Sequence, residues 1–289
     1  MQTFQILTDS ACDLTQEQLD RLQIQRVNLE VNIPGSDQHL VGDGDEEMKA
    51  FYARLRNQEN VTTNAVNVGQ MRDAMEAILA AGDDLLYIGF DSALSSTYQN
   101  GVIAAGELRE KYPQRRIETV DTLCASLGFG LLVTLTAEKR LEGWDLEQTK
   151  GFAEETAPKM CHWFTVNDLF FLKRGGRVSS ATAVVGTLLN IKPILHCDAV
   201  GHLTPAGKAR GRKAALQTLV DKMKQGAIDP ASQHVMICHG DCMDDAQWLK
   251  QQLLEQVGVK KVTIGYIGPV IASHAGPDTI SVFYLGNNR

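Results

Sequence analysis

No stretch of the 289-residue chain approaches the roughly 18 consecutive apolar residues of a membrane-spanning helix. Basic residues are in the minority. Lys and Arg number 28 against 35 Asp and Glu, a formal net charge of -7. That balance argues against a general nucleic-acid binder and against holding an anionic membrane by charge alone. The opening Met1-Gln-Thr-Phe-Gln-Ile-Leu-Thr-Asp-Ser10 has neither the basic start nor the apolar core of a signal peptide, so a cytoplasmic location is expected. Cysteines are few and mostly scattered, at Cys12, Cys124, Cys161 and Cys197, and a chain of this length needs no disulfide framework. There is no Gly-x-Ser-x-Gly nucleophile elbow and no repeat of fixed period.

What is present is a recurring strand–turn–helix unit with hydroxyls at the turn. Leu85 to Phe90 reads as a buried strand, and Tyr98 to Leu108 carries Val102, Ile103, Ala105 and Leu108 at helical spacing. Between them stand Ser92, Ser95, Ser96 and Thr97. In open α/β sheets ligands bind where a parallel strand ends and a helix begins, and a helix N-terminus offers unpaired N–H groups to an anion. This turn has no lysine, arginine or Gly-x-Gly, so it suits a carboxylate better than a polyphosphate. Helix capping by the same hydroxyls is the competing reading.

The design occurs first at Phe4 to Leu22, where Asp9 and Ser10 end a strand and Thr15 with Gln18 forms a capping box. Asp9 is either a general base or an organiser of the neighbouring turns. A strand at Gln25 to Asn32, a polar loop at Pro34 to Asp45 and a helix at Glu46 to Leu55 follow. Thr62 and Thr63 precede a helix capped by Asn67, and Asp121, Thr122 and Ser126 mark a third unit. Strands alternating with helices through residue 141 predict a parallel, doubly wound sheet. After Trp144 the pattern changes, with strands at Cys161 to Val166, Ile191 to Leu195, His234 to Cys238, Lys261 to Tyr266 and Ser281 to Leu285. Between the first two lies a helix containing Val184, Val185, Leu188 and Leu189, which Ser179 can cap.

Lys173, Arg174 and Arg177 surround two glycines in a basic, hinge-like loop, open to a phosphate or an acidic partner or simply solvated. Lys208, Arg210, Arg212 and Lys213 lead into an amphipathic helix from Ala214 to Lys224 and read as a solvated face. His234, Cys238, His239 and Cys242 have metal-ligating side chains without a standard zinc spacing, and Cys238 reads more simply as a small residue of a buried strand. A redox or metal sensor at Cys238 and Cys242 is the corresponding alternative function.

Ser92-Ala-Leu-Ser-Ser-Thr-Tyr-Gln99 resembles the Ser-Ser-x-Leu-Ser-Gly-Thr-Tyr-Gln signature of the DegV family, bacterial fatty-acid-binding proteins. Further matches cover almost the whole chain. They are the Thr8-Asp9-Ser10 opening, Thr62-Thr63-Asn64 in place of Thr-Ser-Gln, and the Val120-Asp121 to Gly130 segment. Leu169 to Ser180 with Leu188 to Ile194, and Gly268 to Asp278, complete them. Two departures stand out: Ser96 and Asp278 replace glycines. Ser96 is expected to keep an ordinary negative φ, with its hydroxyl toward the head group or capping the helix.

The resemblance implies an α/β, two-domain DegV-like fold. A parallel doubly wound domain at 1–158 is joined to a second sheet-and-helix domain at 159–289, with the ligand between them. It implies a long-chain fatty acid whose carboxylate is held by Thr62 and Ser95, with Thr63, Ser96 and His274 beside them, and whose tail is buried. It also implies a carrier, not a catalyst, that presents the acid to a fatty-acid kinase, with no cofactor and no metal. Lys173, Arg174, Arg177 and Arg210 are then candidate partner contacts, and transient contact with a membrane is compatible with the cargo. A serine hydrolase or acyl-transfer enzyme using Ser95 and His274, with Asp9 or Asp121, is the main alternative.

Overall fold

The computed structural model describes residues 3–35, 42, 44–167, 169–178, 190–287 and 289. Strands β1 (Phe4–Asp9), β2 (Ile24–Val27), β5 (Asp84–Gly89) and β6 (Ile117–Asp121) form one parallel sheet in the order β2-β1-β5-β6. Between β2 and β5 come β3 (Glu30–Asn32) and β4 (Thr62–Asn64), which among the described residues pair only with each other, antiparallel. The strand expected at 25–32 is therefore two strands belonging to two sheets. After β2 the chain leaves the parallel sheet, and Leu29, whose N–H donates to Ser10 Oγ at 3.0 Å, marks the departure.

Helices α1 (Gln16–Leu22), α2 (Asp45–Arg56), α3 (Val68–Ala80), α4 (Thr97–Lys111), α5 (Ser126–Leu141) and α6 (Leu146–Thr156) connect these strands. The capping box expected at Thr15 with Gln18 starts α1, and Asn67, expected as a cap, starts α3 in a full box with Gln70. Helix α5 is the centre of the molecule. Leu127, Phe129, Leu131, Leu132, Val133 and Ala137 are all buried, so it is apolar on every side. A helix of that kind must have partners all round. Here they are α1 and α6 of the first unit and, on the other side, strands of a second sheet. Gly128 lets that approach happen, because a Cβ there would stand 2.4 Å from His162 Nε2.

The second sheet comprises β7 (Met160–Thr165), β8 (Ile191–Cys197), β9 (Leu203–Arg210), β10 (His234–His239), β11 (Lys261–Tyr266) and β12 (Ile280–Leu285). Its order is β11-β10-β12-β7-β8-β9, antiparallel except for the β10–β11 pair. Period-two alternation divides its residues. Val235, Ile237, Val282 and Cys161 pack with α8 (Arg212–Gly226) and α9 (Met243–Gln252), whereas Cys238, Phe283 and Met236 join the core around α5. Helix α9 runs on through one π turn at Leu253–Val257.

Several expectations change. Lys208 and Arg210 lie on edge strand β9 and not on a helix approach, while Arg212 and Lys213 are already inside α8. The basic segment holding Lys173 and Arg174 is a short helix, α7 (Phe170–Arg174). The segment holding His274 is helical too, α10 (Pro269–Ala275). The helix expected to carry Val184, Val185, Leu188 and Leu189, with Ser179 as its cap, lies outside the described residues.

Candidate functional site

The carboxyl ends of the parallel strands meet one face of the second sheet, and a cavity of about 300 Å³ lies between them. That is at the lower end of the range for ligand pockets. Its body is apolar, lined by Phe90, Phe164, Leu172, Val270, Ile271 and Phe283 among others. Phe164 and Phe283 share a face of the second sheet, which brings two aromatic rings to one wall. His162 lies on the same face. Its Nδ1 meets Met160 O at 3.0 Å and its Nε2 accepts the Ala125 N–H at 3.3 Å. Burial drives its pKa down to about 3, so it is a neutral wall residue.

Hydroxyls and nitrogens gather at the turn before α4 and at β4. Ser95 follows the Asp91 turn, its N–H donating to Asp91 O at 3.1 Å. Its Oγ accepts the Thr97 N–H at 3.2 Å and lies 2.9 Å from Thr97 Oγ1. Ser95 thus receives the helix donor, as the capping reading expects, and also lines the cavity. Ser96 has φ -73, an ordinary value, and also lines the cavity, but its side chain makes no cap hydrogen bond.

Thr63 Oγ1 lies 2.8 Å from His274 Nε2. On β4 the side chains alternate, so Thr63 faces inward while Thr62 is exposed and outside the cavity lining. Of the two threonines expected at the head group, Thr63 lines the cavity and Thr62 does not. Helix α10 holds His274 over the cavity. Burial of its ring and, after it, the flanking Arg177 and Arg174 drive its pKa down to about 4 and leave it neutral at pH 7. His274 Nδ1 is buried without a partner, facing Gly175. A Cβ at Gly175 would stand 2.2 Å from that nitrogen. Gly175→Ala is therefore expected to push the imidazole off Thr63 and destabilise the fold by about 1–3 kcal/mol. A urea titration together with the His274 ring resonances checks both effects; an unmoved ring would contradict this account.

The basic residues divide. Lys173 and Arg210 are exposed. Arg174 stacks on the rings of Phe170 and Phe171 at 5.4 and 4.9 Å. Arg177 lines the cavity and donates from Nε to Leu94 O at 3.1 Å, next to Ser95. Arg177, a candidate partner contact by sequence, is thus a lining residue of the cavity. Nothing local in the sequence signals this, since its acceptor is 83 residues away.

Asp9 is an organiser. Fully buried, it accepts from Phe90 N at 2.9 Å, Ala11 N at 3.2 Å and Tyr87 Oη at 3.2 Å. Asp121 similarly accepts from the N–H groups of Ser92 and Leu123. Neither carboxylate is bonded to His274, whose Nε2 partner is Thr63 and not Ser95. The hydrolase arrangement of Ser95 and His274 is not assembled here. Among the described residues, no group of three or more His, Cys, Asp or Glu side chains is placed to hold a metal ion. Cys238 is a buried wall residue 3.3 Å from Ser126 Oγ, and Cys242 lies on the other side of His239, donating its N–H to that ring at 3.2 Å.

Comparison with known proteins agrees with this architecture. A DegV domain-containing protein of Clostridium perfringens is 40% identical over 289 residues, covering 100% of this chain and 99% of the relative. One from Streptococcus pyogenes serotype M3 is 35% identical over 286 residues, 99% of each chain. The structure of a DegV family protein from Thermus thermophilus, described by its fatty acid binding, superposes with a TM-score of 0.88 at 30% identity, covering 99% of this chain and 100% of that one. A DegV lipid binding protein from Thermotoga maritima gives 0.86 at 26% identity, covering 99% of both. The family profile described as "Uncharacterised protein, DegV family" matches residues 3–287, and the chain belongs to the DegV family.

Proposed function

We propose that this chain binds a long-chain fatty acid, its carboxylate at Thr63 and Ser95 and its acyl tail in the apolar body of the cavity. The observation that carries the reading is the division of that one cavity. Hydroxyls with hydrogen-bond donors behind them stand at the strand ends, and aromatic and aliphatic side chains fill the rest. The Thermus thermophilus relative, whose structure is described by its fatty acid binding, supports the choice of ligand.

The hydrogen bonds suggest how neutral groups hold an anion. Ser95 Oγ accepts the Thr97 amide, and with the Thr97 hydroxyl donating to it as well across 2.9 Å, its own O–H turns to the carboxylate. Neutral His274 can donate from Nε2 to Thr63 Oγ1, which turns the Thr63 proton forward in the same way. Each hydroxyl is polarised from behind, and charge-assisted hydrogen bonds of this kind are stronger than neutral ones. Arg177 adds a cation near the same turn, and Ser96 lies at the helix entrance. In this reading the two domains divide at 158/159, with the cargo between them.

The chain then acts as a carrier in the cytoplasm, presenting the head group to a kinase that phosphorylates the carboxylate. The exposed cations Lys173 and Arg210 are the candidate contacts for that partner. Native mass spectrometry of the purified protein should show a retained fatty acid. Thr63→Ala and Ser95→Ala should each weaken binding tenfold to a hundredfold, from about 1.5–3 kcal/mol per hydrogen bond to a charged group, and Thr62→Ala should leave it unchanged. Undiminished affinity in both cavity variants, with folding intact, would remove this head-group site.

A further inference from the structure

The cavity between the two sheets carries a second set of polar groups, set in its apolar wall. Cys238, Ser281 and Phe164 form one row across the second sheet, because Cys238 pairs with Ser281 and Ser281 with Phe164. Residues directly opposite in antiparallel strands share a face, and all three line the cavity. The next row on that face, two residues along each strand, brings Phe283 and His162 to the same wall. Ser126, at the start of α5, faces the row from the other side, its Oγ 3.3 Å from Cys238 Sγ. Two hydroxyls thus flank one thiol, and neither bonds to Thr63, Ser95 or His274.

The two hydroxyls have different capacities left. Ser126 Oγ meets Asp13 Oδ2 at 2.5 Å and directs its proton there, which leaves its lone pairs to accept. The Ser281 hydroxyl meets the Cys238 thiol, a weak partner, and no oxygen or nitrogen among the described residues. Ser281 is 6% exposed, and since β12 is an inner strand of the sheet, that exposure is to the cavity. A plain methylene chain on this wall would cover the Ser281 O–H without giving it an acceptor, and a buried donor bears that loss in full. A hydroxyl on the chain removes the loss, accepting from Ser281 and donating to Ser126 Oγ. A ketone accepts from Ser281 but has no proton for Ser126.

We infer that the cavity selects a fatty acid with a hydroxyl on its chain, bound between Ser126 and Ser281. The inference rests on the fatty-acid reading of this cavity and adds the class of acid. With the carboxylate fixed at Thr63 and Ser95, one position along the chain reaches the Ser126–Ser281 pair. Positional isomers of one hydroxy acid are therefore distinguished.

The test is a titration of the full chain with stearic acid and with monohydroxylated stearic acids that differ in hydroxyl position, all below their micelle concentrations. One isomer should bind at least as tightly as stearic acid. The others should bind about tenfold to a hundredfold more weakly, because each buries its hydroxyl against apolar side chains. The keto acid oxidised at the preferred position should bind more weakly than the hydroxy acid. Ser281→Ala should weaken the preferred isomer about tenfold while stearic acid binds as tightly as before or more tightly. A general loosening of the fold would weaken both. Hydroxylated isomers that all bind more weakly than stearic acid, or a Ser281→Ala chain that loses both acids equally, would overturn the inference and leave the fatty-acid reading standing. Failure of stearic acid and of every isomer to bind would overturn both.

Discussion

Each two-carbon shortening of a saturated fatty acid is expected to weaken its binding about tenfold, so that four carbons change affinity about a hundredfold. The expectation comes from about 0.8 kcal/mol per buried CH₂ and a cavity whose body is formed by side chains such as Phe164, Val270, Ile271 and Phe283. Head-group contacts are common to the whole series and cancel from it. Salt should alter the affinity far less than chain length does. Ser95 and Thr63 are short-range neutral donors, and Arg177 is half-buried and bonded to Leu94 O, where screening by ions is weak. Titration of saturated acids below their micelle concentrations, at low and high salt, separates the contributions. A response flat in chain length, or affinity that collapses with salt, would remove the buried tail and point to a small polar anion.

The parts of this site legible in the sequence are those determined locally. A strand ending in a polar turn, followed by a helix, fixes where Ser95 and Thr97 stand because the backbone hydrogen bonds of that unit lie within a few residues. The alternation in Cys161-His-Trp-Phe-Thr was also available. His162 and Phe164 had to share a face, and that face is the cavity wall. Helix α10 was announced too, by Pro269 at its first position and Gly276 just past its end, the usual asymmetry of helix termini.

Other features have no local signal. Strand β4 is three residues long, too short for alternation to say whether Thr62 or Thr63 faces inward. The answer comes from pairing Thr63 with Val31, which the sequence does not specify. Strand β9 reads Leu-Thr-Pro-Ala-Gly-Lys-Ala-Arg, a poor strand by composition. It is tolerated because it lies at the sheet edge, with Pro205 next to the register shift opposite Ile194 and Leu195. Arg177 gave no sign in the sequence of lining the cavity, because its acceptor, Leu94 O, is 83 residues away. Sequence patterns report the periodicity of one element, whereas a cavity between domains is made by side chains that meet only after both have folded.

Replacing Asp9 by Ala is expected to destabilise the protein by about 3–5 kcal/mol, near the upper end for a single substitution. The substitution leaves the N–H groups of Phe90 and Ala11 and the Tyr87 hydroxyl without their acceptor, all of them buried. The effect should reach the site, because the Asp9–Phe90 bond ties the end of β1 to the residue that leads into the Ser95 turn. Asp9 also makes stability depend on pH. Burial raises its pKa from 3.8 to about 7, outweighing the three donors that favour the carboxylate. Between those values the folded chain holds a proton that the unfolded chain has released. The stabilisation is therefore complete below about pH 4 and is lost as pH rises through 7, at no more than about 1.4 kcal/mol per pH unit for one group. Asp13 and Asp91, raised to about 7 by burial as well, act in the same direction. Asp9→Asn keeps an acceptor for Phe90 N but cannot titrate, so it isolates this contribution. Urea midpoints between pH 4 and 8 should show wild-type stability falling, relative to Asp9→Asn, as pH rises. A difference that stays constant across that range, or grows in favour of the wild type, would show that Asp9 is ionised in the folded chain.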